Sequence, residues 1–134
     1  MSNYVFYNPN PLQKFHKDGT PVKWRYSDCS VRAFAIVTGI SWKQAYDVLI
    51  NAGMENYMMP DDMELLKIVY NKWDYRYTTF RSNERMKLKD FVKTHKKGKF
   101  VAAMVGHVVG IVNGKYYDAW DCGEQYVTSY WEKY

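Results

Sequence analysis

The pattern of apolar and polar positions changes character twice along the chain. Residues 1–25 sustain no period. Asn8-Pro9-Asn10-Pro11, Asp18-Gly19 and Pro21 are turn formers, so this stretch is expected to be loop-rich and to wrap the surface. A helical period follows. Ser27 and Asp28 can each cap a helix that runs to Thr38 and stops at Gly39, with apolar residues at Val31, Phe34 and Ala35 and more of them on the other sides. A helix that is apolar nearly all round is a buried one. Ser41 with Gln44 three residues on predicts a capping box and a second helix, striped by Trp42, Ala45, Tyr46 and Leu49 and ending at Gly53. A third helix is expected over 61–71, its first turn made acidic by Asp61 and Asp62. Residues 73–80 alternate and read as a strand. Leu88, Phe91 and Val92 mark a fourth, basic helix ending near Gly98.

From residue 99 the period becomes two. Three short strands are predicted, 99–105, 107–112 and 115–120, the last two joined by Asn113-Gly114, the strongest short-range hairpin signal. A two-residue turn there pairs Val112 with Lys115, Ile111 with Tyr116 and Val109 with Asp118, and sets His107 opposite Trp120. With side chains alternating faces, His107 and Asp118 become same-face diagonal neighbours. A carboxylate in that place can accept a hydrogen bond from the imidazole and hold its tautomer. The expected architecture is α+β: N-terminal helices packed on a C-terminal antiparallel sheet, residues 1–134 forming one domain.

Composition narrows the function classes without choosing among them. The chain has 134 residues, 47% apolar and 25% charged, which suits a folded domain with one sizeable core. The net charge is +5, and much of the excess lies in Lys87, Lys89, Lys93, Lys96, Lys97 and Lys99. That segment reads first as a solvated face and second as a nucleic-acid contact. No signal-peptide pattern and no membrane-length apolar run is seen, so a cytoplasmic location with reduced thiols is expected. Two cysteines, Cys29 and Cys122, are too few for a disulfide framework.

In a reducing compartment a free thiol is either buried filler or chemistry. Cys29 falls in the first turn of the buried helix, where the helix dipole and a nearby imidazolium favour the thiolate. A His held by a carboxylate then completes a nucleophile, acid–base and orienting set: Cys29, His107 and Asp118. Cys122 reads as structural, Asp28 as a cap, His16 and His95 as incidental. Zinc through Cys29, His107 and Cys122 lacks the usual paired spacing.

Asp28-Cys29-Ser30 at a helix start, Gly106-His107-Val108 on a later strand and Asp118-Ala119-Trp120 on the next resemble the papain-like cysteine peptidase superfamily. The short chain looks more like its minimal bacterial and phage-encoded members, including the bacteriocin-processing peptidases, than like full-length papain. The resemblance implies a papain-like fold and a thiol hydrolase that cleaves a peptide, isopeptide or other amide bond of a peptide or protein substrate, with no cofactor. It gives Trp120 the role of shielding the His contact. Where the family carries an oxyanion-hole Gln six residues before the Cys, this chain has Lys23, with Gln13 and Tyr26 as weaker candidates. Because the papain branch uses Asn as its third residue, Asp118→Asn is expected to keep part of the activity. An acyltransferase using the same triad and an inactive papain-fold binding module remain the alternatives.

Overall fold

The computed structural model describes residues 2–134. Its elements run β1 (Tyr4–Phe6), α1 (Cys29–Thr38), α2 (Trp42–Asn56), α3 (Met63–Lys72), β2 (Tyr75–Thr79), β3 (Met86–Lys87), α4 (Leu88–Thr94), β4 (Lys99–Met104), β5 (His107–Val112), β6 (Lys115–Asp118), β7 (Tyr126–Val127) and β8 (Ser129–Lys133). The class is α+β. The main sheet is six-stranded in the order β1-β6-β5-β4-β8-β2. It is mixed rather than antiparallel throughout, because β1 pairs in parallel with β6. Strands β3 and β7 form a separate two-stranded ladder.

The period-two reading of β4 and β5 accounts for two cores. Val101, Ala103 and Val108 face α1, α2 and α3 together with Tyr75 and Trp131. Phe100, Ala102, Met104, Val109 and Ile111 face the other way, against α4, Tyr116, Cys122 and Val127. A central strand buried on both faces reads as an apolar run, as β4 does. Helix α1 lies directly on β5. A Cβ at Gly110 would meet Ile36 Cγ2 at 2.9 Å and the Ala33 carbonyl at 3.2 Å, so glycine there permits the close approach. That contact brings the start of α1 to the start of β5.

Element ends differ from the sequence reading in instructive ways. Helix α1 stops at Gly39, in the left-handed conformation (φ 73°) with its N–H on the Ala35 carbonyl. The Ser41–Gln44 capping box forms. Helix α2, however, passes through Gly53 and ends at Tyr57 (φ 57°). Gly53 serves packing there: a Cβ would come within 2.5 Å of the Met58 carbonyl oxygen. Helix α3 starts later than expected, with the Asp62 carboxylate capping Glu64, and α4 ends at Thr94 with His95 at its cap, not near Gly98. Strand β6 stops at Asp118, so the 115–120 strand is shorter than its pattern suggested. Strands β1, β7 and β8 carry no strong period in sequence and form through pairing to partners far along the chain. No helix among the described residues is long and apolar enough to cross a membrane.

Candidate active site

The hairpin does what its turn chemistry requires. Asn113 and Gly114 both have positive φ (49° and 79°), the signature of the type I′ turn. The ladder runs Val112↔Lys115, Ile111↔Tyr116, Gly110↔Tyr117. The ladder stops there, short of the expected Val109–Asp118 and His107–Trp120 pairs, while β1 pairs along the other edge of β6 from Tyr116 to Asp118, with Phe6 opposite Asp118. The Tyr7 N–H and the Tyr4 hydroxyl both donate to the Asp118 carbonyl, at 3.0 and 3.1 Å. The end of β6 is thereby tied down where β5 begins.

There, His107 Nε2 donates to Asp118 Oδ2 at 2.6 Å, and both side chains are buried. With Nε2 committed to the carboxylate, Nδ1 is the ring nitrogen left free to serve Cys29. Cys29 is the first residue of α1 and partly buried. Burial pushes its thiol up, but the His107 hydrogen bond, the Val108 backbone N–H and the charges of His107 and Arg32 outweigh it and hold the thiol below its ordinary value. Burial likewise pulls His107 down, yet its bonds to Asp118 and Cys29 raise it from 6.5 to about 9. Asp118, despite burial, is held below the usual carboxylate range by His107 and Arg32. Both shifts push the pair toward thiolate and imidazolium. The indole of Trp120 covers the imidazole at 4.9 Å between ring centroids.

Of the residues expected at the site, Cys29, His107, Asp118 and Trp120 come together. Lys23 does not. It is exposed, in a surface hollow of about 390 Å³ shared with Gln13, Trp24 and Tyr26, and no contact links it to Cys29. Gln13 is committed elsewhere, donating to the Lys14 and Val22 carbonyls. Trp24 pulls this segment toward Asp28 by an indole N–H bond of 2.9 Å, and Tyr26 packs edge-on against Trp24. Among the backbone groups, the Cys29 N–H at the helix start is free of the α1 ladder, as first-turn N–H groups are.

Three participants were not anticipated. Asp28 sits at the cap position but makes no side-chain cap. Its carboxylate instead accepts from Asn10 Nδ2, Trp24 Nε1, Arg32 Nε and Trp42 Nε1, all at 2.8–2.9 Å. Although burial opposes it, these donors hold Asp28 below the usual carboxylate range. Arg32, only 3% exposed, also reaches Asp118 Oδ1 at 2.5 Å. The i,i+4 spacing of Asp28 and Arg32 was a visible signal for the first of these bonds; nothing local announced the second. Cys122, buried, donates its S–H to Asp118 Oδ2 at 3.3 Å, and burial with the adjacent Asp118 charge pushes its thiol far up.

His107, Asp118 and Cys122 place one potential metal ligand each within 4.8 Å of one another. Their chemistry does not suit a cation. The Arg32 guanidinium already neutralises Asp118, the protonated Cys122 is a donor, and His107 Nε2 is spent on the carboxylate. The basic segment is partly internally paired, Lys87 and Lys89 both bonding Glu124 at 2.8 Å. No protein-family model matches the chain, and no curated protein or solved structure matches it.

Proposed function

We propose that this chain is a papain-like cysteine hydrolase that cleaves a peptide, isopeptide or other amide bond through a thioester acyl-enzyme. The observation that carries the reading is one imidazole bonded through Nε2 to a buried carboxylate, beside a helix-N-terminal thiol that the imidazole holds below its ordinary pKa. The placement of Cys29 on a helix packed against the strands that carry His107 and Asp118 supports the papain-like comparison.

The chemistry follows from that arrangement. The Cys29 thiolate attacks the carbonyl carbon, forming the C–S bond, and the oxyanion develops toward N–H donors at the start of α1, the Cys29 N–H foremost. His107, as imidazolium, gives its Nδ1 proton to the departing amine as the C–N bond breaks. Neutral His107 then takes a proton from water, whose oxygen attacks the thioester; the C–S bond breaks and the thiolate returns. Asp118 stays ionised throughout and keeps the ring oriented. Trp120 covers the His–Asp bond from solvent.

The test is a peptide-based electrophile that traps acyl-enzymes, read by intact mass and peptide mapping. The expected result is one adduct, on Cys29, lost in His107→Ala. Labelling that is equal at Cys29 and Cys122, or unchanged in His107→Ala, overturns the reading. Transfer of the acyl group to an added amine in place of water distinguishes an acyltransferase with the same triad.

A further inference from the structure

The site contains a buried cation that acyl transfer does not by itself demand. Arg32 stands one turn into α1, 3% exposed, between two carboxylates. Its Nε bonds Asp28 Oδ1 at 2.8 Å and its Nη1 bonds Asp118 Oδ1 at 2.5 Å. Asp28 is in turn gripped by Asn10, Trp24 and Trp42, donors from the N-terminal loop and the first residue of α2. A carboxylate with donors from separate elements on both oxygens cannot rotate without breaking several bonds at once. The plane of the guanidinium is therefore set by groups outside the reacting pair.

We propose that Arg32 is a positioning residue of this site: anchored by Asp28, it locks the Asp118 carboxylate so that Oδ2 faces His107 Nε2. The inference rests on the hydrolase reading above. Asp118 divides its two oxygens accordingly. Oδ1 takes Arg32 and the Ala119 N–H (2.7 Å), while Oδ2 takes His107 and Cys122. With Oδ1 held twice, the carboxylate has one orientation, and the ring it holds has one tautomer.

Charge works in the same direction. The titratable groups that face this cluster are Asp28, Cys29, His107, Asp118 and Cys122, with Tyr4 from β1, Tyr70 from α3 and Asp121 beyond β6. Arg32 offsets one of the two carboxylates. Without it a second buried negative charge stands near Cys29, and a like charge disfavours the thiolate.

Two variants separate geometry from charge. Arg32→Lys keeps the buried positive charge, but a single ammonium cannot form the fork that spans Asp28 and Asp118. Arg32→Gln removes the charge. Each is checked for folding by circular dichroism, then read by the pH dependence of Cys29 alkylation and by the ¹⁵N shifts of the His107 imidazole. In Arg32→Lys the alkylation rate near neutrality is expected to fall roughly tenfold with its pH inflection kept, as misorientation of a catalytic group predicts. In Arg32→Gln the inflection is expected to move to higher pH. In both, the His107 shifts lose the pattern of a single Nε2-bonded form. A purely structural Arg32 lowers the melting temperature while leaving rate, inflection and shifts of the folded protein as in wild type; that result overturns the inference. If Arg32→Gln does not fold, Arg32→Lys decides it. Absence of preferential Cys29 alkylation in the wild-type protein overturns the hydrolase reading instead, and the His107 shifts still decide whether Arg32 orients the pair.

Discussion

The two cysteines meet the same His107–Asp118 pair at its two ends, and the pair treats them oppositely. Cys29, at the start of α1, lies at the imidazole end, and His107, the Val108 backbone and the charge of Arg32 hold its thiol down against burial. Cys122, beyond β6, contacts the carboxylate, and its thiol is pushed up. Cys29 is partly buried and Cys122 fully so, and burial pushes both thiols up, so burial does not give the shifts their opposite signs. What sorts them is the sign of the nearest charge and whether neighbours donate or accept. A hydrogen-bonded His–Asp pair is a dipole: it favours the thiolate at its cationic end and the thiol at its anionic end.

The sharpest way to break that comparison is alkylation by iodoacetamide at about pH 6, where an ordinary thiol is almost wholly protonated. Cys29 is expected to react on the order of a hundredfold faster than Cys122. Equal rates in the folded protein would dissolve the distinction.

Asp118 is the next place to press. The expectation that Asn can replace it is revised by Arg32. An amide offers one acceptor, and Arg32 with the Ala119 N–H on Oδ1 outcompetes His107 for it. The NH₂ group then faces His107 Nε2 and favours the tautomer protonated on Nδ1, which cannot take a thiol proton. Asp118→Asn is therefore expected to lose activity roughly tenfold or more, about as badly as Asp118→Ala. Activity on one acyl substrate compares the two. Wild-type activity in the Asn variant would show that the Arg32 contact does not control the carboxylate. The Ala variant also takes from Arg32 one of its two buried carboxylate partners and leaves it Asp28 alone, so its folding is measured alongside.

Stability against pH is a smaller and separable effect. Asp28 and Asp118 have depressed folded-state pKa values, so their contribution is present above their ordinary value of 3.8 and is lost as pH falls through the folded values. His107 has the opposite sign: its contribution is full below 6.5 and is lost as pH rises through about 9. Cys29, depressed from 9.0, gains over the same alkaline range and offsets that loss. Denaturant melts are expected to show a steep acid arm and a shallow alkaline one. In Cys29→Ala the offset disappears, the His107 pKa drops for want of the thiolate, and the alkaline arm changes shape.

The smallest expected effect is at the silent end. Cys122→Ala removes a buried S–H and a little volume, at a cost of about 1 kcal/mol. Cys29 alkylation is expected to stay within about twofold of wild type, because Oδ2 keeps its bond to His107. A large change in Cys29 reactivity would mean that Cys122 helps to set the carboxylate.

What local rules decide was legible in the chain. Asn113-Gly114 admits one turn type, and that turn dictates the pairing that sends His107 and Asp118 to the same end of the sheet. Ser41 with Gln44, and Gly39 in the left-handed region, are likewise decisions made within four residues. Chain order and the helix start marked Cys29. The grip on Asp28, the second bond of Arg32 and the contact of Cys122 are decided only in three dimensions. Asp28 draws its donors from residues 10, 24, 32 and 42, and Arg32 reaches Asp118 across 86 positions of sequence. A buried charge takes whatever partners the packed elements deliver, because leaving it unpaired costs more than any local preference can supply. Capping was the locally sensible role for Asp28; burial beside Arg32 and two indoles gave it a different one. Lys23 stayed in solvent for the converse reason, since no buried group called for its charge. The parallel β1–β6 pairing also escaped a sequence reading, as a three-residue strand has no period to read and forms only once its partner edge exists.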